Sequence, residues 1–264
     1  MTPQMRIRRV LRDSARIEDA AVRAQLRILR ATRRDILARL VNAGAFDRYR
    51  LTTLLQAVDS EISRGRDVAQ AAAGSSAEQS YGLGSTFSRS VISADSIVGT
   101  SGELARAVVD VTTDQVRDVW RELGSRLKTV IRRATLGVSD PFEAMKTLSR
   151  SIRDPKTFGR ALWRAEAIVR TEVGRAFSVA SQSELERGAR AGVKVRKYWL
   201  TAGDERVREA HRRAGEEYGP DSSIPHDEAF IVDGERLLFP SDPNGSPRNT
   251  INCRCVSVPV VMED

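Results

Sequence analysis

Lysine is scarce in this chain: it occurs only at 128, 146, 156, 194 and 197, so 38 of the 43 basic residues are arginine. Positive charge is therefore carried almost wholly by guanidinium groups, which keep their proton and match carboxylate and phosphate oxygens in pairs. Cysteine is scarcer still. Cys253 and Cys255 are the two present, one residue apart, an arrangement that excludes a disulfide framework and fits a reducing compartment. No apolar run approaches the roughly 18 residues that a membrane helix requires. The basic start, with Asp13 soon after and no apolar core segment, leads us to expect neither a secretory signal nor a transit peptide. Aromatic residues are few, and so many charged residues at this length point to a helix-rich protein with long solvated faces.

What is present is unevenly spread. The first fifty residues hold thirteen arginines and five acids, which accounts for the whole formal charge of +8, because the remainder balances at thirty basic and thirty acidic residues. With 264 residues, one or two domains are expected, each large enough for a core.

Between Val10 and Val41, Val22, Leu26, Leu29, Ile36 and Leu40 form one helical stripe that Arg33 interrupts, with Asn42-Ala43-Gly44 as a stop. A second stripe from Leu51 through Val58 and Ile62 to Ala72 predicts a helix ending at Gly74, and the two could pair as a hairpin. Residues 74–102, rich in Gly and Ser, read as a long loop or hinge with short helical pieces. Helix resumes around Val116, with Thr112-Thr113-Asp114 as its cap, and stops at Gly137. Ser139-Asp140-Pro141 opens another, and the strongest helical pattern runs from Phe158 to Gly188 or Gly192. The period then changes. Val193–Leu200 alternates as a strand, 230–239 reads as two strands around Asp233-Gly234, and 251–260 reads as a last strand. The expected fold is α+β: an elongated helical region over 1–157 with a basic arm, then a module over 158–264 whose short antiparallel sheet packs on the long helix.

Four separated elements of the last hundred residues form a pattern: Arg170-Thr171-Glu172; Trp199 followed by Asp204, Arg206, Arg208 and His211; Pro240 and Pro243; and Asn252-Cys253-Arg254-Cys255. Taken together over about 137–258, this order resembles the phage Mu F-like head morphogenesis family, the minor head proteins of tailed bacteriophages and related prophages. The resemblance implies a minor head protein in the virion, in the capsid interior or at the portal vertex, assembled in the host cytoplasm. It implies the portal protein, packaged double-stranded DNA, and capsid or scaffold protein as partners, and no enzyme activity. Some family members carry toxin domains after the Cys-Arg-Cys segment; the chain ends about nine residues past Cys255, and none is expected here.

The residues carry expectations of their own. Glu172 falls on an apolar helical stripe, where a carboxylate needs a partner, and Arg254 or Arg206 are the candidates. Asp204, Arg208 and His211, spaced i, i+4 and i+7, are expected on one helix face. Cys253 and Cys255, two apart on a strand, would send both thiols to one side and Arg254 to the other. With His211 and His226, the only histidines, they could complete a Cys2His2 zinc set; buried unliganded thiols are the other reading. Pro240 and Pro243 belong to a rigid connection before the last strand, either an ordinary connection or a docking surface. Arg6, Arg8, Arg9, Arg12, Arg16, Arg23, Arg27, Arg30, Arg33 and Arg34 could contact nucleic-acid phosphate, meet an acidic protein surface, or simply face solvent. The rival from another class is a nucleic-acid-cleaving or zinc-dependent enzyme built on His211 and the cysteine segment.

Overall fold

A computed structural model describes residues 3–41, 48–92, 102–136, 138 and 140–262. Five helices come first: α1 (Pro3–Val41), α2 (Arg48–Ile92), α3 (Gly102–Thr135), α4 (Pro141–Arg153) and α5 (Pro155–Arg190). Then follow β1 (Val195–Leu200), α6 (Glu209–Glu217), a short 3-10 turn at Pro220–Ser222, β2 (Ile224–Pro225), β3 (Phe230–Val232), β4 (Glu235–Leu237), α7 (Pro247–Thr250) and β5 (Val256–Val261). The fold is α+β, as expected. The chain forms two compact units, each discontinuous in sequence.

The helical unit is drawn from Ala21–Gly74 and Val111–Val169. Its interior holds Leu29, Ile36, Leu51, Val58, Trp120, Leu127 and Leu148, all at most 1% exposed, on faces repeating every three or four residues. Gly65 lets α2 lie against Trp120 and Thr32, since a Cβ there would fall 2.4 Å from the Thr32 hydroxyl and 2.5 Å from the indole. Arg33, which breaks the apolar stripe of α1, has a structural task. Its Nε donates to Ile152 O at 2.9 Å and its Nη2 to Arg153 O at 3.1 Å, satisfying carbonyls that the end of α4 leaves open. The opening of α4 follows the expected chemistry, with Asp140 accepting from Glu143 N at 3.1 Å.

The mixed unit is drawn from Met1–Ala20, Ser75–Asp110 and Arg170–Asp264. Its main sheet has the order β2-β1-β5, all antiparallel, with Trp199 opposite Ser257 and Lys197 opposite Pro259. Tyr198 joins Val10, Phe87, Phe177, Val256 and Val258 in one cluster, whereas Trp199 joins Phe230, Val232, Leu237 and the two cysteines in another. The period of two along β1 thus feeds two cores. β3 and β4 form the expected hairpin, with Asp233 and Gly234 at φ 52° and 79° as a tight two-residue turn requires.

Several expectations fail. Gly74 does not end α2, which continues to Ile92; residues 93–101 of the expected hinge lie outside the described residues. The small residues serve close packing between α2 and α5. A Cβ on Gly84 would sit 2.3 Å from Phe177 O, Ser80 Oγ donates to Val173 O at 2.8 Å, and the Ser88 and Ser181 hydroxyls meet at 2.7 Å. Composition resembled a loop because both loops and close helix seams favour Gly and Ser. Likewise α3 begins at Gly102, so Thr112 is a buried residue within it and not a cap. The Asn42-Ala43-Gly44 and Gly137 stops lie outside the described residues.

Candidate functional site

The residues of the C-terminal pattern converge in the mixed unit, but through different partners from those expected. Residues 204–208 form turns, and α6 starts only at Glu209, so Asp204, Arg208 and His211 do not share a helix face. Asp204 instead grips Arg254 through two bonds of 2.6 Å and accepts Arg206 N at 3.0 Å. The Arg254 guanidinium holds the Asp204 carboxyl down at about 2. Arg208 stands at the entry to α6 without capping it through its side chain, and donates to Ile251 O. Glu172 pairs with Arg175 one turn along its own helix, at 2.6 Å, not with Arg254 or Arg206. Arg175 also donates to Ser241 O at 2.9 Å. Sequence spacing concealed this solution because a nearby arginine on α5 reaches the carboxylate more cheaply than a distant loop does.

The cysteines precede the last strand, which begins at Val256 and not at Ile251. Asn252 takes φ 56°, and its N–H donates to Thr171 Oγ1 at 3.0 Å, so the pattern's threonine anchors the cysteine segment to α5. Both thiols turn inward together despite the irregular backbone. His211 Nδ1 lies 3.5 Å from Cys253 Sγ and 3.5 Å from Cys255 Sγ, and all three residues are buried. Trp199 meets the imidazole edge to face, with ring centres 5.5 Å apart. The hydrogen bond from Cys255, aided by His211, holds the Cys253 thiol well below its ordinary range. The same bond and burial push the Cys255 thiol up.

His226 is not part of this cluster. It follows β2, donates through its N–H to Val195 O at 3.3 Å, and stands 3.8 Å from Asp227. Among the described residues, the group of potential metal donors is His211, Cys253 and Cys255 alone. The Cys2His2 set is therefore replaced by one histidine and two cysteines.

The connection after β4 is organised by Asp242, which accepts from Leu238 N at 2.7 Å and Asn244 N at 2.9 Å. Pro240 is buried and Pro243 exposed within it. Among the buried ionisable groups that escaped the sequence reading are Lys197 and Glu18. Lys197, fully buried on β1, donates to Leu238 O at 2.7 Å and Gln182 Oε1 at 3.2 Å; burial lowers it to about 7. Glu18 is pushed up by burial to about 7, with Arg170 at 3.8 Å opposing. It lines a cavity of about 230 Å³ together with Arg12, Phe177, Cys253 and Arg254. Alternation in β1 was the available signal for Lys197.

The arginines of α1 divide. Arg6 donates to Ser90 O at 2.6 Å and Arg33 caps α4, so these two are engaged in the fold. Arg8, Arg9, Arg12 and Arg16 are exposed in the mixed unit, and Arg23, Arg27, Arg30 and Arg34 in the helical unit. Arg9 and Arg16 flank Asp13 at 3.7 and 3.6 Å, and Arg34 approaches Asp35 at 3.8 Å. Arg8, Arg12, Arg23, Arg27 and Arg30 have no ion pair among the described residues.

Residues 143–258, somewhat under half of the chain, match the family described as Phage Mu protein F like protein. The match contains every element of the pattern from Arg170 to Cys255 and places the protein among phage head-morphogenesis proteins in general. A stretch of 95 residues is 33% identical to the NAD(+)--arginine ADP-ribosyltransferase EFV of Enterococcus faecalis (strain ATCC 700802 / V583). It covers 36% of this chain and 18% of that protein, so the chain spans less than a fifth of this relative. No solved structure matches the chain.

Proposed function

We propose that the protein is a minor head protein of a tailed bacteriophage or prophage-derived particle, associated with the portal and with packaged double-stranded DNA, and that it assists head assembly without catalysing a reaction. Its place is the capsid interior or portal vertex, reached by assembly in the host cytoplasm, with capsid or scaffold protein as a further partner. Beyond the family, the observation that carries the DNA part is the set of exposed arginines on α1. Guanidinium groups left open to solvent neutralise phosphates, release counterions and read no sequence, as a protein beside packaged DNA of arbitrary sequence requires. The likeness to the transferase concerns a segment, and the activity in that protein's name is not carried over.

Binding to a random duplex between 50 and 200 mM salt tests the DNA contact. Affinity should fall steeply, and replacing Arg8, Arg9, Arg12 and Arg16 with Gln should flatten the log–log slope by up to about 3 to 4. Binding unaffected by salt or by these substitutions would remove the DNA contact from the reading. Co-purification with the portal protein tests the assembly role, and failure to associate with portal or procapsid would sink it. Incubation with NAD+, DNA or RNA should give no turnover; turnover abolished by His211→Ala would overturn the non-catalytic assignment.

A further inference from the structure

We propose that His211, Cys253 and Cys255 form a binding site for a thiophilic divalent cation of the zinc class, with His211 Nδ1 and the two sulfurs as ligands. The geometry is the first argument. A tetrahedral zinc with bonds of about 2.3 Å to sulfur and about 2.0–2.1 Å to nitrogen sets sulfur and nitrogen about 3.5 Å apart. Both nitrogen–sulfur separations here are 3.5 Å, and all three donor atoms lie within 4.8 Å of one another.

The ring's orientation is the second argument. His211 Nε2 is buried and has no hydrogen-bond partner, so the two sulfurs are the only polar atoms that the imidazole addresses among the described residues. A neutral Nδ1 has either one proton or one lone pair, and neither serves two sulfurs equally; a cation between the three satisfies all of them.

Construction of the site is the third. His211 stands in the first turn of α6, entered through Arg208, whose guanidinium holds Ile251 O in the cysteine segment. The Asp204–Arg254 pair clamps that segment from the residue between the two thiols, and Thr171 holds Asn252 just before them. Such outer contacts orient metal ligands in known sites. Trp199 covers the imidazole and closes the apolar side. Five pattern residues, Thr171, Trp199, Asp204, Arg208 and Arg254, thus share one purpose: each holds a donor or the segment that bears it.

Three protein ligands leave one tetrahedral position. A cavity of about 10 Å³ is lined by all three donors, with Ala202, Arg206 and Asn252. His226 takes no part.

The test is metal content of the full chain, purified without chelator from zinc-supplemented cells. About one zinc per chain is expected, retained in His226→Ala and lost in the Cys253→Ser, Cys255→Ser double variant. Absence of stoichiometric metal, or its retention in the double variant, would overturn the proposal. Should the double variant fail to fold, cobalt(II) added to chelator-treated wild-type protein decides the matter. Thiolate-to-cobalt charge-transfer absorption saturating at one equivalent supports the site, and its absence overturns it. These readouts are independent of portal and DNA binding, so failure of the head-assembly reading would leave them untouched.

Discussion

The two units bury different chemistry at the same depth. Leu29, Ile36, Val58, Trp120 and Leu148 fill the helical unit, which also buries Glu61 and Gln25, whereas the mixed unit buries a larger set of ionisable groups, Glu172, Glu184, Lys197, His211 and Asp242 among them. Aliphatic packing is roughly additive and non-directional, so it accepts many sequences of similar volume. Each buried polar group, by contrast, demands a particular partner: Ser85 and Arg89 for Glu184, Arg175 for Glu172, Leu238 O for Lys197. The difference explains why the recognisable residue pattern lies where satisfied polar contacts define the geometry, and why the helical unit shows little beyond periodicity.

The largest effect expected from breaking this contrast is in the helical unit. Trp120→Ala empties a fully buried site and should cost about 3–5 kcal/mol in denaturant unfolding. A loss below about 1 kcal/mol would mean that this interior is not packed as described. In the mixed unit the matching probe is steric. Gly84→Ala drives a methyl group against the Phe177 backbone and should cost about 1–3 kcal/mol, while Gly82→Ala, two residues away with nothing within 4 Å, should stabilise by up to about 1 kcal/mol. Equal effects at the two positions would show that the seam between α2 and α5 is not close-packed.

That seam also marks the boundary of what the sequence could disclose. Helical stripes such as Val22 to Leu40 and the alternation of Val193–Leu200 were legible, because burial on one face imposes a period whatever the partner is. The run Gly74 to Ser90 was not, since its meaning depends on Phe177 and Ser181 about ninety residues away. The candidate site was half legible. Cys253, Cys255 and His211 stood out by rarity and order, but choosing His211 over His226 required knowing that His226 ends up beside Val195. Glu172 illustrates the converse, where a local partner displaced a plausible remote one.

A smaller effect separates the units by pH. Lys197 has a folded value of about 7 against about 10.5 when unfolded, so the unfolded chain holds the extra proton between these limits. Stability should therefore rise with pH across that window, by at most about 1.4 kcal/mol per unit, and the cost of burying the charge is complete below it. Asp227, Glu186, Asp242 and Glu228 all favour the charged form and limit the shift. Urea midpoints at pH 7, 8 and 9 should climb more in wild type than in Lys197→Met; parallel profiles would show that Lys197 does not titrate there.

The smallest effects concern neighbouring arginines of the helical unit, where the distinction between a fold residue and a surface residue is sharpest. Arg33 donates to two terminal carbonyls of α4, bonds made by a charged donor at a partly buried site, so Arg33→Gln should cost about 1–2 kcal/mol. Arg34 is 78% exposed and only 3.8 Å from an exposed Asp35, so Arg34→Gln should change stability by less than about 0.5 kcal/mol. The ranking should reverse in duplex binding, where Arg34 offers its charge to phosphate and Arg33 has already spent its donors on the protein. If Arg33→Gln weakened DNA binding more than Arg34→Gln at equal foldedness, exposure would be the wrong guide to which arginines of α1 meet DNA.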